Sequence, residues 1–230
     1  MTPQGSRAAN QGRPRRGAIS SSTVVEAGIA IAARDGLETL SMRTLATELG
    51  LSPMTLYRYV DSKDDLLDQM VLWVLARMEI PSSFDEDWRD RIVTIMTSWR
   101  DLLLAHAEIA PIMLDRPIPR GSVGLARLQE AVLGALEHGG LSGADAVRAF
   151  WQIFTVTVGN VMFDLPRRRL ADPDMVGYAT ALRDIARQRG LHRVESSADE
   201  LASIAGRGTF TDTLSTLLRG IASAPGGVHG

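Results

Sequence analysis

The stretch SMRTLATELGLSPMTLYRYVDSKDDLL, residues 41–67, holds more helix starts than its length normally allows. Ser41 is placed to cap a helix over 42–49, with Leu45 and Ala46 turned inward, and Gly50 offers the permissive backbone that a tight exit needs. Ser52 caps again. Pro53 then sits at a first helical position, where its missing N–H is harmless, and predicts a second helix over 53–59. Ser62 opens a third, with Asp64 and Asp65 in a first turn whose dipole favours acids. Helices of about two turns are marginal alone, so Leu45, Leu49, Leu51, Leu56 and Val60 must pack together to hold them. Two short crossing helices joined by a Gly-containing turn make a helix-turn-helix, and the second helix of that motif fits the major groove of DNA.

Taking Leu56 and Val60 into the core leaves Met54, Thr55, Tyr57, Arg58 and Tyr59 on the outer face of the second helix. Arg58 suits guanine O6 and N7, and Met54 or Thr55 can meet a thymine methyl. The hydroxyls of Tyr57, Tyr59 and Thr55, with Lys63 at the next helix start, suit phosphate oxygens. The helix starts at Ser52–Pro53 and at Ser62 add backbone N–H groups. The same residues also read as two core aromatics and one solvated cation.

Charge is distributed in a way that fits a polyanion partner for the first part of the chain only. The net formal charge of the 230 residues is -2, yet residues 1–60 carry seven Arg against four acids, a local +3 that leaves -5 for the rest. Much of that positive charge, Arg15 and Arg16 included, lies in residues 1–20, which are rich in Gly, Pro, Gln and Ser and read as a disordered basic arm. There are no Cys, which excludes disulfides and thiolate metal sites. No apolar run is long enough to span a bilayer and no apolar segment follows the N-terminal Arg cluster, so a cytoplasmic location without membrane contact is expected.

The remainder is helical throughout, and the expected fold class is all-α. Ser22 begins a helix ended by Gly36, with Val25, Ile29 and Ala32 on one face. Further helices are predicted over 62–80, 88–106, 108–114, 122–138, 142–164 (stopped by Pro166), 173–188 and 211–222. The Val- and Thr-rich run TVTVGNVMF at 155–163 continues the helical pattern and finds no partner strand. The expected domains are the arm over 1–20, the helix-turn-helix domain over 21–66, a ligand-binding and dimerisation domain over 67–223, and a flexible tail over 224–230.

LSMRTLATELGLSPMTLYRYVDSKDDLL resembles the DNA-binding domain of TetR-family transcriptional regulators, whose recognition-helix pattern is met by Thr55, Leu56, Tyr57, Tyr59 and Lys63. The resemblance adds Arg43 and Thr44 on the preceding helix to the DNA-contacting set. It also implies a homodimer, with the last long helices, over 142–164 and 211–222, as the interface. SWRDLLLAHAEIAPIMLDRPIP and LEHGGLSGADAVRAFWQIFTVTVGNV are similar to the tetracycline-repressor branch. That branch holds a magnesium–drug chelate through a His and a carboxylate. Here those positions fall at Met113 and Phe163, which offer Mg²⁺ no oxygen ligand, so no metal and no cofactor are expected.

Trp99, His106, Met113, Trp151, Thr155 and Phe163 are the candidate lining of a pocket for a largely apolar effector, with ordinary helical core as the other reading of the same residues. No nucleophile elbow, phosphate-cradling Gly loop or Cys nucleophile is present, so no catalytic residue is assigned. The expected function is a ligand-released homodimeric repressor on a pseudo-palindromic double-stranded operator. The alternative is a small-molecule-binding or enzymatic helical protein with a vestigial helix-turn-helix.

Overall fold

The computed structural model of the chain describes residues 19–80, 87–116, 119–169, 175–203 and 207–223. Arg15 and Arg16, the tail over 224–230 and Pro173 lie outside them. The described residues form twelve α-helices and one 3₁₀ turn, without a strand, and the run at 155–163 is helical. The chain divides into two compact units, Met1–Leu66 and Leu67–Gly230.

In the first unit, α1 (Ser21–Asp35), a 3₁₀ turn (Leu37–Thr39), α2 (Met42–Glu48) and α3 (Pro53–Leu56) follow one another, and α4 (Lys63–Ala76) begins. Two of these helices start on the same reciprocal cap. Ser20 Oγ accepts from Thr23 N–H at 3.2 Å while Thr23 Oγ1 accepts from Ser20 N–H, and Ser41 and Thr44 repeat the exchange at 3.1 and 2.9 Å. Gly36 ends α1 at φ 89°, a conformation strained for any residue with a Cβ. Val25, Ile29 and Ala32 are buried as one stripe, with Val24 and Ile31 beside them, and α1 packs on α2 and α2 on α3.

α3 is shorter than the 53–59 span read from sequence. After Leu56 the chain descends by tighter turns, Arg58 N–H donating to the Thr55 carbonyl and Tyr59 N–H to that of Leu56. One α-helical turn holds no stability of its own, and the complete burial of Leu56 with the near-complete burial of Val60 secures it.

The second unit contains most of α4, then α5 (Trp88–Ala105), α6 (Ala110–Asp115), α7 (Val123–His138), α8 (Gly143–Arg169), α9 (Met175–Arg189), α10 (His192–Ser196), α11 (Ala198–Ser203) and α12 (Arg207–Ala222). α5, α7, α8 and α12 pack around one core of Ile92, Ile95, Trp99, Leu128, Val132, Phe150, Ile153 and Phe210. Gly124 brings the start of α7 against the end of α4 so closely that a Cβ there would lie 2.1 Å from the Leu75 carbonyl oxygen.

Two expectations are corrected here. Pro166 does not stop α8, which runs on to Arg169 with the proline inside it. A proline near a helix end forfeits one hydrogen bond, here the one to the Met162 carbonyl, and buried Asp164 and Leu165 keep the segment in place. α10 and α11 occupy a region read as carrying no element. α11 packs on α9 with Ala179, Ala186, Ala198 and Ala202 buried, and exposed ion pairs, Arg183 to Asp199 at 2.7 Å and Arg187 to Glu195 at 2.6 Å, link α9 to both short helices.

Candidate nucleic-acid interface and apolar cavity

α3 and the turns after it sort their side chains sharply. Leu56 is fully buried, Met54 is 80% exposed and Tyr57 48% exposed. Ser52, Pro53 and Arg58 are exposed, while Thr55 and Tyr59 are half-buried. The hydroxyls of Ser52 and Thr55 lie 2.9 Å apart, and Ser52 Oγ also accepts from Thr55 N–H at 3.1 Å, so both oxygens serve the cap. Thr44 Oγ1 is engaged likewise, accepting from Ser41 N–H and lying 3.1 Å from the Thr39 carbonyl. What Thr44 and Thr55 can still offer a partner is largely their methyl groups.

The cations divide into committed and available ones. Arg34 is tied to Asp35 and, through both terminal nitrogens, to Glu48. The hydrogen bond to Asp35 first, then that to Glu48, pushes its pKa above the usual arginine value. Arg187, in the second unit, is pushed the same way, chiefly by its hydrogen bond to Glu195. Among the described residues no ion pair or side-chain hydrogen bond engages the exposed side chains of Arg43, Arg58 or Lys63. Lys63 begins α4, whose start is closed by Ser62 Oγ accepting from Asp65 N–H and Asp65 Oδ2 accepting from Asp61 N–H. Arg43, Arg58 and Lys63 therefore keep their donors for an outside acceptor.

In the second unit, α5, α6 and α8 enclose a cavity of about 70 Å³. Trp99 and Leu103 line it from α5, Ala110 and Met113 from α6, and Phe154, Val158, Val161 and Met162 from α8. Trp99 stacks on Phe154 with ring centroids 4.8 Å apart and 27° between planes. Of the candidate pocket residues, Trp99 and Met113 meet here and the other four do not. Trp151 and Phe163 are about half exposed and Thr155 is exposed, all turned away from the cavity. His106 sits edge-on to Trp73, its Nδ1 3.4 Å from a Glu108 carboxylate oxygen.

The physical reason is one of phase. Residues 155 and 163 follow the lining residues 154 and 162 by one residue, about 100° further round the same helix, while Trp151, a turn before Phe154, meets that ring edge-on at 5.4 Å from outside the lining. Both sets repeat at helical spacing and both contain aromatics, so periodicity alone leaves the choice open. The missed lining residue Phe154 was detectable by its i, i+4 relation to Phe150 and Val158, which are themselves buried or half-buried.

Below the cavity a polar cluster crosses the core. Arg100 is 1% exposed and pairs with Asp164, 5% exposed, in a very short contact, and its Nε donates to Asn160 Oδ1 at 2.5 Å. The guanidinium also lies over the Phe210 ring at 5.3 Å, which joins α5, α8 and α12 at one point. Removing Arg100 or Asp164 alone would leave the other's buried charge unpaired, a loss of about 3–5 kcal/mol.

Comparison with known proteins adds to this geometry. Residues 24–70 match the family model for bacterial regulatory proteins of the tetR family, and residues 80–224 match the tetracyclin repressor-like C-terminal domain. An HTH-type transcriptional regulator of Saccharopolyspora erythraea is 32% identical over 171 residues, 74% of this chain and 70% of that protein. The HTH-type transcriptional repressor DrrR1 of Streptomyces coeruleorubidus is 36% identical over 153 residues, 64% of this chain and 55% of the relative. In structure, the chain is similar to the Streptomyces coelicolor TetR family protein ActR in complex with actinorhodin. The TM-score is 0.76 at 25% identity, covering 88% of this chain and 96% of that one.

Proposed function

This chain belongs to the tetR family of bacterial regulatory proteins and is a DNA-binding transcriptional regulator, and we propose that it is a homodimeric repressor released from a pseudo-palindromic operator by a small, largely apolar ligand. The observation that carries the reading is the split within one helical turn between buried Leu56 and exposed Met54, Tyr57 and Arg58. In this reading Arg58 contacts a guanine edge and Met54 a thymine methyl. Tyr57, Tyr59, Lys63 and Arg43 hold phosphates, with Arg15 and Arg16 adding backbone charge from the arm.

The roles divide between residues 21–66, which read DNA, and residues 67–223, which bind ligand and dimerise. The exposed face of α8 supports dimerisation. Val147, Trp151, Thr155, Gly159 and Phe163 recur every four residues and are all exposed. A largely apolar row of this kind, with small Thr155 and Gly159 between the large side chains, is what a second copy of the helix would cover. Two reading helices related by a two-fold axis would meet half-sites one helical turn, or a multiple, apart. Among the described residues no helix is long and apolar enough to cross a membrane, and we place the protein in the cytoplasm with the DNA.

Release follows if the ligand binds one arrangement of α5, α6 and α8 better than the operator-bound one. An apolar cavity of about 150 Å³ takes a benzene, so a ring entering about 70 Å³ has to displace its walls.

Selection from a random duplex library tests the reading directly. Wild-type protein should enrich one pseudo-palindrome, and absence of any enriched sequence would favour the vestigial alternative. Arg58→Ala should weaken operator binding by about 1–3 kcal/mol and relax one base position in each half-site. Lys63→Ala should weaken all sequences alike and reduce the salt slope by about one.

A further inference from the structure

We infer that the effector is a neutral, planar, ring-containing compound with a carbonyl-type acceptor, and that Trp99 Nε1–H donates the one hydrogen bond that orients it in the cavity. The inference rests on the reading of that cavity as the effector site and names the chemistry it selects.

Three observations converge on it. The eight lining residues carry no charge, and Trp99 alone among them carries a polar side-chain group. Its Nε1 is buried and has no hydrogen-bond partner among the described residues, although the side chain is fully enclosed. A buried indole N–H ordinarily finds an acceptor, because leaving it unmet forfeits the hydrogen bond it makes in water. Finally, Trp99 and Phe154 already stack at 4.8 Å, presenting ring surface of the kind that offset stacking extends to a third ring.

The remaining walls fit a flat occupant of uncertain outline. Met113 and Met162 are unbranched and polarizable, and they can change rotamer to widen the cavity at little cost. A carboxylate ligand would find no partner here. The buried cation Arg100 is paired with Asp164 and is not part of the cavity lining, so a bare anion among apolar walls meets the desolvation penalty without a facing cation.

The test uses three single-ring probes on the intact chain: acetophenone, its acceptor-free analogue ethylbenzene, and anionic benzoate. The chain has four tryptophans, so its indole N–H resonances are few, and the one absent from Trp99→Phe is thereby assigned. Acetophenone should shift that resonance downfield and bind about five- to tenfold tighter than ethylbenzene, the weight of one neutral hydrogen bond. Benzoate should bind at least tenfold more weakly than acetophenone. In Trp99→Phe the preference for acetophenone over ethylbenzene should vanish. The order of affinities of the three probes for wild type decides the matter even if that variant unfolds. Equal affinity of acetophenone and ethylbenzene for wild type, an unmoved Trp99 resonance, or tighter binding of benzoate would overturn the inference. Operator binding by the ligand-free protein, measured on the same preparation, separates this failure from failure of the regulator reading. A protein that holds its operator but ignores acetophenone refutes only the ligand class.

Discussion

At the scale of single residues, Leu56 and Met54 share the one turn of a short helix and have opposite duties. Leu56 is fully buried, and truncating a leucine in such a site typically costs about 2–5 kcal/mol. Leu56→Ala should therefore lower the denaturation midpoint of the 21–66 region and abolish operator binding. Met54→Ala, at a position 80% exposed, should change stability by less than about 0.5 kcal/mol while altering which operators are retained. Chemical denaturation paired with a gel-shift measurement separates the two. The inward and outward roles of these residues were legible in the sequence because a break on each side confined the helix to one orientation. The commitments of Thr44 and Thr55 were less legible, since their hydroxyls close caps as well as facing solvent. Thr155 and Phe163 fall outside the cavity lining because a shift of one residue in phase preserves every spacing.

At the scale of elements, the caps carry more information than helix propensity. Ser20, Ser41, Ser52 and Ser122 each accept a backbone N–H three residues on, at 3.1–3.2 Å. Ser41, Ser52 and Ser122 mark starts that were read from the sequence, whereas the first helix, read from Ser22, is capped two residues earlier at Ser20. α10, which follows Leu191, lacked such a mark, and α11 carried one in Ser197 and Glu200 that was passed over. Both are short, and α11 buries small alanines, Ala198 and Ala202, against α9, so they show no stripe of large apolar residues for periodicity to reveal. Gly124 belongs to the same class of features hidden from sequence, because a small residue in a helix shows no sign of what approaches it. Gly124→Ala would place a methyl 2.1 Å from the Leu75 carbonyl oxygen, and the forced separation of α4 and α7 should cost about 1–3 kcal/mol. Calorimetry should show a lowered melting temperature. An unchanged one would mean that the two helices part freely.

At the scale of the whole molecule, the all-α class followed from an unbroken helical pattern, and the two family matches fall on either side of residues 71–79. Assembly is the property that one chain displays least directly, and the exposed row on α8 is its main trace. Trp151→Glu should shift the protein toward monomer in light scattering, make its melting temperature less dependent on concentration, and weaken operator binding, while leaving the fold intact. A variant that remained dimeric would move the interface elsewhere.

Pro166 gives the same helix a mechanical property. The hydrogen bond it cannot donate is the one to the Met162 carbonyl, and the Met162 side chain is part of the cavity wall. The ladder of α8 thus misses a rung beside the place where an incoming ring would press, which makes a compliant joint in an otherwise stiff rod. Pro166→Ala should restore the rung and slow hydrogen exchange at the surrounding amides. Effector binding should then weaken, because the wall would yield less readily.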